Sequence, residues 1–116
     1  MTRSAREIFK GHGRALLAED LDGIAANFAE DAVVITPKGA KRGHTGVREA
    51  FTELFTDLPG AKWDMQSMIF DGNLLFVEWE AQAGGRRAVC GVDTFVFRDG
   101  LIQAQTVRYP LASVAE

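Results

Sequence analysis

The order of helical and strand-like patterns predicts an α+β domain, with helices on one face of a mainly antiparallel sheet. Apolar residues recur at spacings of three and four through the first half of the chain, and from Lys62 onward the spacing changes to two. The size agrees. A chain of 116 residues, 47% of them apolar, buries about two-thirds of its unfolded surface around one core without disulfides or metals. Residues 1–116 therefore read as a single domain, with no repeats and no linker.

The first helix is expected from Ser4 to Glu19. Ser4 with Glu7 three residues on has the spacing of a capping box, and Phe9, His12 and Leu16 share one face. Gly11 and Gly13 each weaken that helix, which suggests close packing or a slight bend there. Asp20-Leu21-Asp22-Gly23 breaks the chain and caps a short second helix through Ile24, Ala25 and Phe28. Ala32 to Thr36 is β-branched and stops at Pro37, as a strand does. Pro37 to Gly46 reads as a loop, and Val47 to Thr56 as a third helix ended by Asp57-Leu58-Pro59-Gly60.

Four long strands follow in a meander. Trp63, Met65 and Ser67 alternate with Asp64, Gln66 and Met68 as far as Phe70. Leu75, Val77, Trp79 and Ala81 alternate with Glu78, Glu80 and Gln82. Arg87 to Phe97 and Leu101 to Tyr109 form the last pair. Arg98-Asp99-Gly100 between them suits a three-residue hairpin loop with Gly100 left-handed. The tail after Pro110 reads as loose.

Composition excludes several function classes. The net charge of −3 gives no basic footprint for nucleic acid. Cys90 is the single cysteine, so there is neither a disulfide nor a cysteine metal cluster, and His12 and His44 fall in no metal-ligand motif. No apolar run approaches the roughly 20 residues of a membrane span. The polar, interrupted N-terminus is unlike a secretory signal. A cytoplasmic protein without metal or organic cofactor, and without membrane or nucleic-acid partners, is expected.

Three stretches carry a family resemblance. They are Asp20-Leu21-Asp22-Gly23-Ile24 with Phe28-Ala29-Glu30-Asp31-Ala32, then Gly43-His44-Thr45-Gly46-Val47-Arg48-Glu49-Ala50-Phe51, then Gly91-Val92-Asp93-Thr94-Phe95-Val96-Phe97-Arg98-Asp99-Gly100-Leu101-Ile102. In order and spacing the chain resembles the nuclear transport factor 2-like superfamily, which includes ketosteroid isomerases and SnoaL-like polyketide cyclases. The resemblance implies a cystatin-like cone: three helices in the concave face of a strongly curved sheet, with an apolar pocket at its open end. It also implies pairing of sheets into a homodimer. On the strand of Asp93, the opposite face carries Cys90, Val92, Thr94 and Val96, with Ile102 and Ala104 beside them, and these would want cover.

Asp93 is the first candidate catalytic residue. It stands in an apolar row with Val89, Gly91, Phe95 and Phe97, and the expected hairpin puts it opposite Gln105. A buried lone carboxylate is costly and marks a site, unless it is merely paired with a polar neighbour or reaches solvent at a sheet edge. The matching aspartate of the isomerases is kept protonated and donates a hydrogen bond to an oxyanion, a role that the resemblance alone implies for Asp93. His12 is the second candidate. It matches the isomerases' catalytic tyrosine and could exchange a proton with Asp93, or be a satisfied histidine between helix and sheet.

Thr36 stands where the isomerases place their general-base aspartate, and Phe51 where some have a supporting tyrosine. A threonine hydroxyl cannot shuttle a proton between carbons, so ketosteroid isomerisation in its familiar form is not expected. Gln105 and Tyr109 are candidates to orient a ligand. Trp79, Phe28, Phe55 and Phe95 are candidate pocket wall, or ordinary core. Two readings stay open. One is a cofactor-free proton-transfer enzyme for a hydrophobic carbonyl compound, of isomerase, cyclase or dehydratase type; the other is a non-catalytic ligand-binding or dimeric accessory domain.

Overall fold

The computed structural model describes residues 2–113. The helix α1 (Ala5–Leu17) starts where the capping box predicts: the Glu7 amide donates to Ser4 Oγ at 3.2 Å, and the Ser4 amide to Glu7 Oε1 at 2.9 Å. It ends two residues short of Glu19, which has a positive φ of 51°. Asp20 then caps α2 (Leu21–Ala26) by accepting from the Gly23 amide at 3.0 Å. An added Cβ at Gly13 would meet nothing, and one at Gly11 would make only ordinary contacts with Arg3 and Asn27. Close packing is therefore not what places these glycines.

The strand β1 runs Phe28–Thr36, four residues longer at its start than its β-branched stretch suggests. The expected loop after Pro37 instead holds a short strand, β2 (Gly39–Arg42), and α3 (Gly43–Asp57) begins earlier than Val47. A strand of four residues with no apolar alternation leaves no periodic trace. Next come β3 (Lys62–Asp71), β4 (Leu74–Ala83), β5 (Arg86–Arg98) and β6 (Leu101–Arg108). The tail is not loose up to Ser113: β7 (Leu111–Ser113) pairs with Arg86–Ala88 of β5.

The sheet order is β2-β1-β6-β5-β4-β3, with β1 parallel to β6 and the other pairs antiparallel. Within the antiparallel pairs, irregularities in register at Met65/Ser67, Trp79/Ala81 and Val96/Phe97 change which residues face inward. Each is a bulge, an extra residue that bends its strand and increases the twist. The result is a curved sheet with the helices packed against one face. Ile8, Ile24, Val47 and Phe51 from the helices meet Phe28, Val34, Leu75, Phe95 and Ile102 in one buried cluster.

The bulges correct the expected rows. Ala88, not Val89, shares the inner row with Gly91, because Cys90 adopts a φ of 101° between them. In β3 the inner row switches from Trp63 and Met65 to Met68 and Phe70. Ile102 pairs with Phe97 and is fully buried, so it belongs to the core and not to the outer face. The β5–β6 hairpin has a two-residue loop: Arg98 pairs with Leu101, and Asp99 and Gly100 have φ of 52° and 77°. Both positive angles fit the right-handed strand twist, which is why Asp-Gly closes tight hairpins.

Candidate active site in the concave face

A cavity of about 830 Å3 lies between the helices and the sheet. Leu17, Met65 and Met68 line it and are exposed, so the cavity opens past α1 and β3. Its size suits a drug-sized ligand.

Asp93 lines this cavity from the inner row of β5. It lies opposite Val107, not Gln105, because the two-residue hairpin and the β6 bulge reset the register. Gln105, opposite Phe95, still reaches it diagonally: its Nε2 donates to Asp93 Oδ2 at 3.2 Å. Trp79 Nε1 donates to the other oxygen, Oδ1, at 3.0 Å. Burial raises the Asp93 carboxyl to about 7, even though both donors favour the charged form and pull the other way. At neutral pH the group is therefore poised between its two protonation states.

Trp79 is seen in sequence only as wall, yet it holds the carboxylate. The signal was its indole N–H, which needs a partner when buried. Gly91 makes the geometry available. A Cβ there would lie 2.3 Å from Trp79 Cε2, so the indole rests directly on the β5 backbone. Trp63 and Tyr109 pack on the same indole at 5.3 and 5.8 Å between ring centroids.

His12 also lines the cavity, but makes no hydrogen bond to Asp93, whose partners are Trp79 and Gln105. It is only 3% exposed, with the rings of Phe28, Phe51 and Phe95 within 6 Å of its own. Burial pushes its pKa down to about 4, so the imidazole is neutral. Among the described residues, His12 Nδ1 and Gln105 Oε1 are buried without a hydrogen-bond partner. Such groups are costly and mark where polar partners are wanted.

The remaining candidates divide. Thr36, Phe51 and Phe95 line the cavity, and Thr36 Oγ1 accepts from the Lys38 amide at 3.1 Å. Phe28 and Phe55 do not reach the wall; both pack behind it against Phe51, Phe28 wholly buried in the core. Tyr109 lines the cavity but turns its hydroxyl to Asp57 Oδ2, at 2.8 Å. Burial and that carboxylate push the Tyr109 hydroxyl well up, so it stays protonated. Asp57 was legible only as a helix stop; it also faces Arg86 at 3.7 Å. His44 lies in the first turn of α3 and pairs through Nε2 with the Phe28 carbonyl at 2.8 Å. Among the described residues no three His, Cys, Asp or Glu side chains converge in a way that could hold a metal ion, and no helix is long and apolar enough to cross a membrane.

A family model of the SnoaL-like domain matches residues 10–105. The chain belongs to the SnoaL-like domain family. Solved structures similar to this SnoaL-like domain include a candidate ketosteroid isomerase from Kribbella flavida, 21% identical with a TM-score of 0.75, the match covering 96% of this chain and 81% of that one. A candidate polyketide cyclase from Sinorhizobium meliloti is 19% identical with a TM-score of 0.75, covering 87% and 93%. An uncharacterised cystatin-fold protein from Novosphingobium aromaticivorans is 16% identical with a TM-score of 0.76, covering 90% and 97%. At these identities the likeness is one of fold. No curated protein matches the chain significantly.

Proposed function

We propose that this SnoaL-like domain binds a hydrophobic carbonyl compound in its cavity and moves a proton on it through Asp93, without a cofactor. The observation that carries the reading is the Asp93 carboxyl, buried at the cavity wall and held on both oxygens by Trp79 and Gln105. As the acid it would donate to a ligand carbonyl oxygen; as the carboxylate it would take a proton from the adjacent carbon. The two donors keep the carboxyl in one orientation through both steps. Neutral His12 would accept a hydrogen bond from the ligand or donate one to it, and the free Gln105 Oε1 would accept one, while Phe51, Phe95 and Trp79 supply the apolar contact. Thr36 and Tyr109 would border the bound molecule.

The test is exchange of the acidic C–H protons of β-tetralone in heavy water, followed by NMR. Acceleration by the protein, lost in Asp93→Asn, supports the reading. Binding of the ketone with no acceleration sinks the catalytic step and leaves the non-catalytic pocket protein, which Thr36 favours because no second base stands beside Pro37. Isomerisation of a ketosteroid at a useful rate would contradict the role assigned to that threonine.

We further propose a homodimer through the outer face of the sheet. Ile69, Phe76, Thr94, Thr106 and Ile35 lie in cross-strand register there, and Leu74, Val96 and Ala104 form a second apolar row. Cys90 is exposed and Val92 and Thr94 are half-buried.

A further inference from the structure

The cavity wall carries charges that differ in whether they are answered. Each carboxylate on it has a partner: Glu53 pairs with Lys38, Asp57 with Tyr109 and Arg86, and Asp93 with Trp79 and Gln105. Four cations are in the lining, namely Arg6, Lys10, Lys38 and Arg108. Arg108 also meets no carboxylate among the described residues, but its backbone is in register with Val92 of the outer row, and Lys38 is taken by Glu53. Arg6 and Lys10 are the two cations of the lining that share one helix, both exposed and neither meeting a carboxylate among the described residues.

Their placement is specific. Four residues apart on α1, they lie one above the other on the helix face beside Phe9, where like charges repel. Glu7, the only acid within α1, is turned away to cap Ser4. The Arg6 guanidinium lies 4.3 Å from the ring centroid of Phe70, itself a wall of the cavity, so this exposed cation is seated on the apolar rim. On a chain of net charge −3, an unanswered pair at the mouth of an apolar cavity is a local reversal of sign.

We propose that the ligand of this cavity is an anion, an apolar molecule whose carboxylate or similar acidic group is held at the mouth by Arg6 and Lys10. The apolar body then lies against Phe9, Phe70 and Met68 and runs inward to Asp93. This rests on the ligand-binding reading above and narrows it: the carbonyl compound is an acid, oriented by its charge before its reacting end meets the carboxyl. A guanidinium fixed over an aromatic ring is suited to this, since less freedom is lost when it grips a planar anion.

The test uses two dyes with one aromatic skeleton, anilinonaphthalene sulfonate and neutral N-phenylnaphthylamine, whose fluorescence rises in apolar pockets. Titrating each into the full chain should show the sulfonate bound more tightly by about tenfold, the factor one charge-assisted hydrogen bond supplies. The preference should fall towards unity in the Arg6→Ala/Lys10→Ala double variant and persist in Arg48→Ala, a cation on α3 that pairs with Asp22 and is not in the lining; thermal melts show that each variant is folded. Equal binding of the two dyes, or a preference that survives the double variant, overturns this proposal while leaving the cavity as a ligand site. Failure of both dyes to bind overturns the ligand-binding reading on which it rests.

Discussion

Asp93 and His12 share one cavity, and burial acts on them with opposite sign. The Asp93 carboxyl is raised from 3.8 to about 7, so the folded state holds a proton that the unfolded chain releases, and stability falls as pH rises between those values. His12 is lowered from 6.5 to about 4, so the folded state refuses a proton that the unfolded chain takes up, and stability rises over that interval. The two slopes oppose one another from about 4 to 6.5. Single substitutions should unmask them in urea unfolding at a series of pH values. Asp93→Asn should leave a protein that gains stability up to pH 6.5, and His12→Phe one that loses stability up to about pH 7. Asp93 was legible in sequence because a lone carboxylate interrupts an apolar row. Its partnership with Trp79 was not, because that contact is diagonal across two strands and needs the register.

At the scale of elements, the pocket depends on backbone positions that carry no chemistry. Gly91 lets the Trp79 indole lie on β5, and Gly91→Ala would force it off Asp93. We expect a loss of about 1–3 kcal/mol by urea denaturation, the usual range for overpacking, together with a changed indole fluorescence. Gly13 has the opposite prospect. An added methyl meets nothing, so Gly13→Ala should stabilise α1 by about 0.5–1 kcal/mol while narrowing the cavity that Gly13 lines. The helices were legible because caps and a spacing of three or four are local signals. The bulges in β3, β5 and β6 were not: one inserted residue reverses the facing of every residue beyond it, which is why Val89, Met68 and Ile102 are misplaced by simple alternation. The strands β2 and β7 are four and three residues long and largely exposed, too short for any period to show.

For the molecule as a whole, the curved sheet divides its two faces between two tasks, a cavity inside and an apolar surface outside. The outer face makes a prediction about assembly. Sedimentation at micromolar concentration should give a dimer, and Phe76→Glu, which places a charge within the row from Ile69 to Ile35, should give a folded monomer. The overall architecture was legible because helices early and strands late leave few ways to bury one apolar face against another. The size and opening of the cavity were not, since they follow from curvature set by the bulges. All three scales meet in Asp93: the proposed proton transfer requires the carboxyl to be held uncharged for part of the time inside the fold. The most direct measurement is a pH titration of the side-chain carboxyls by carbon-detected NMR, with Asp93→Asn identifying the resonance. The account predicts a midpoint near 7. A midpoint in the ordinary aspartate range, about 4, would mean a solvated carboxylate and would contradict it.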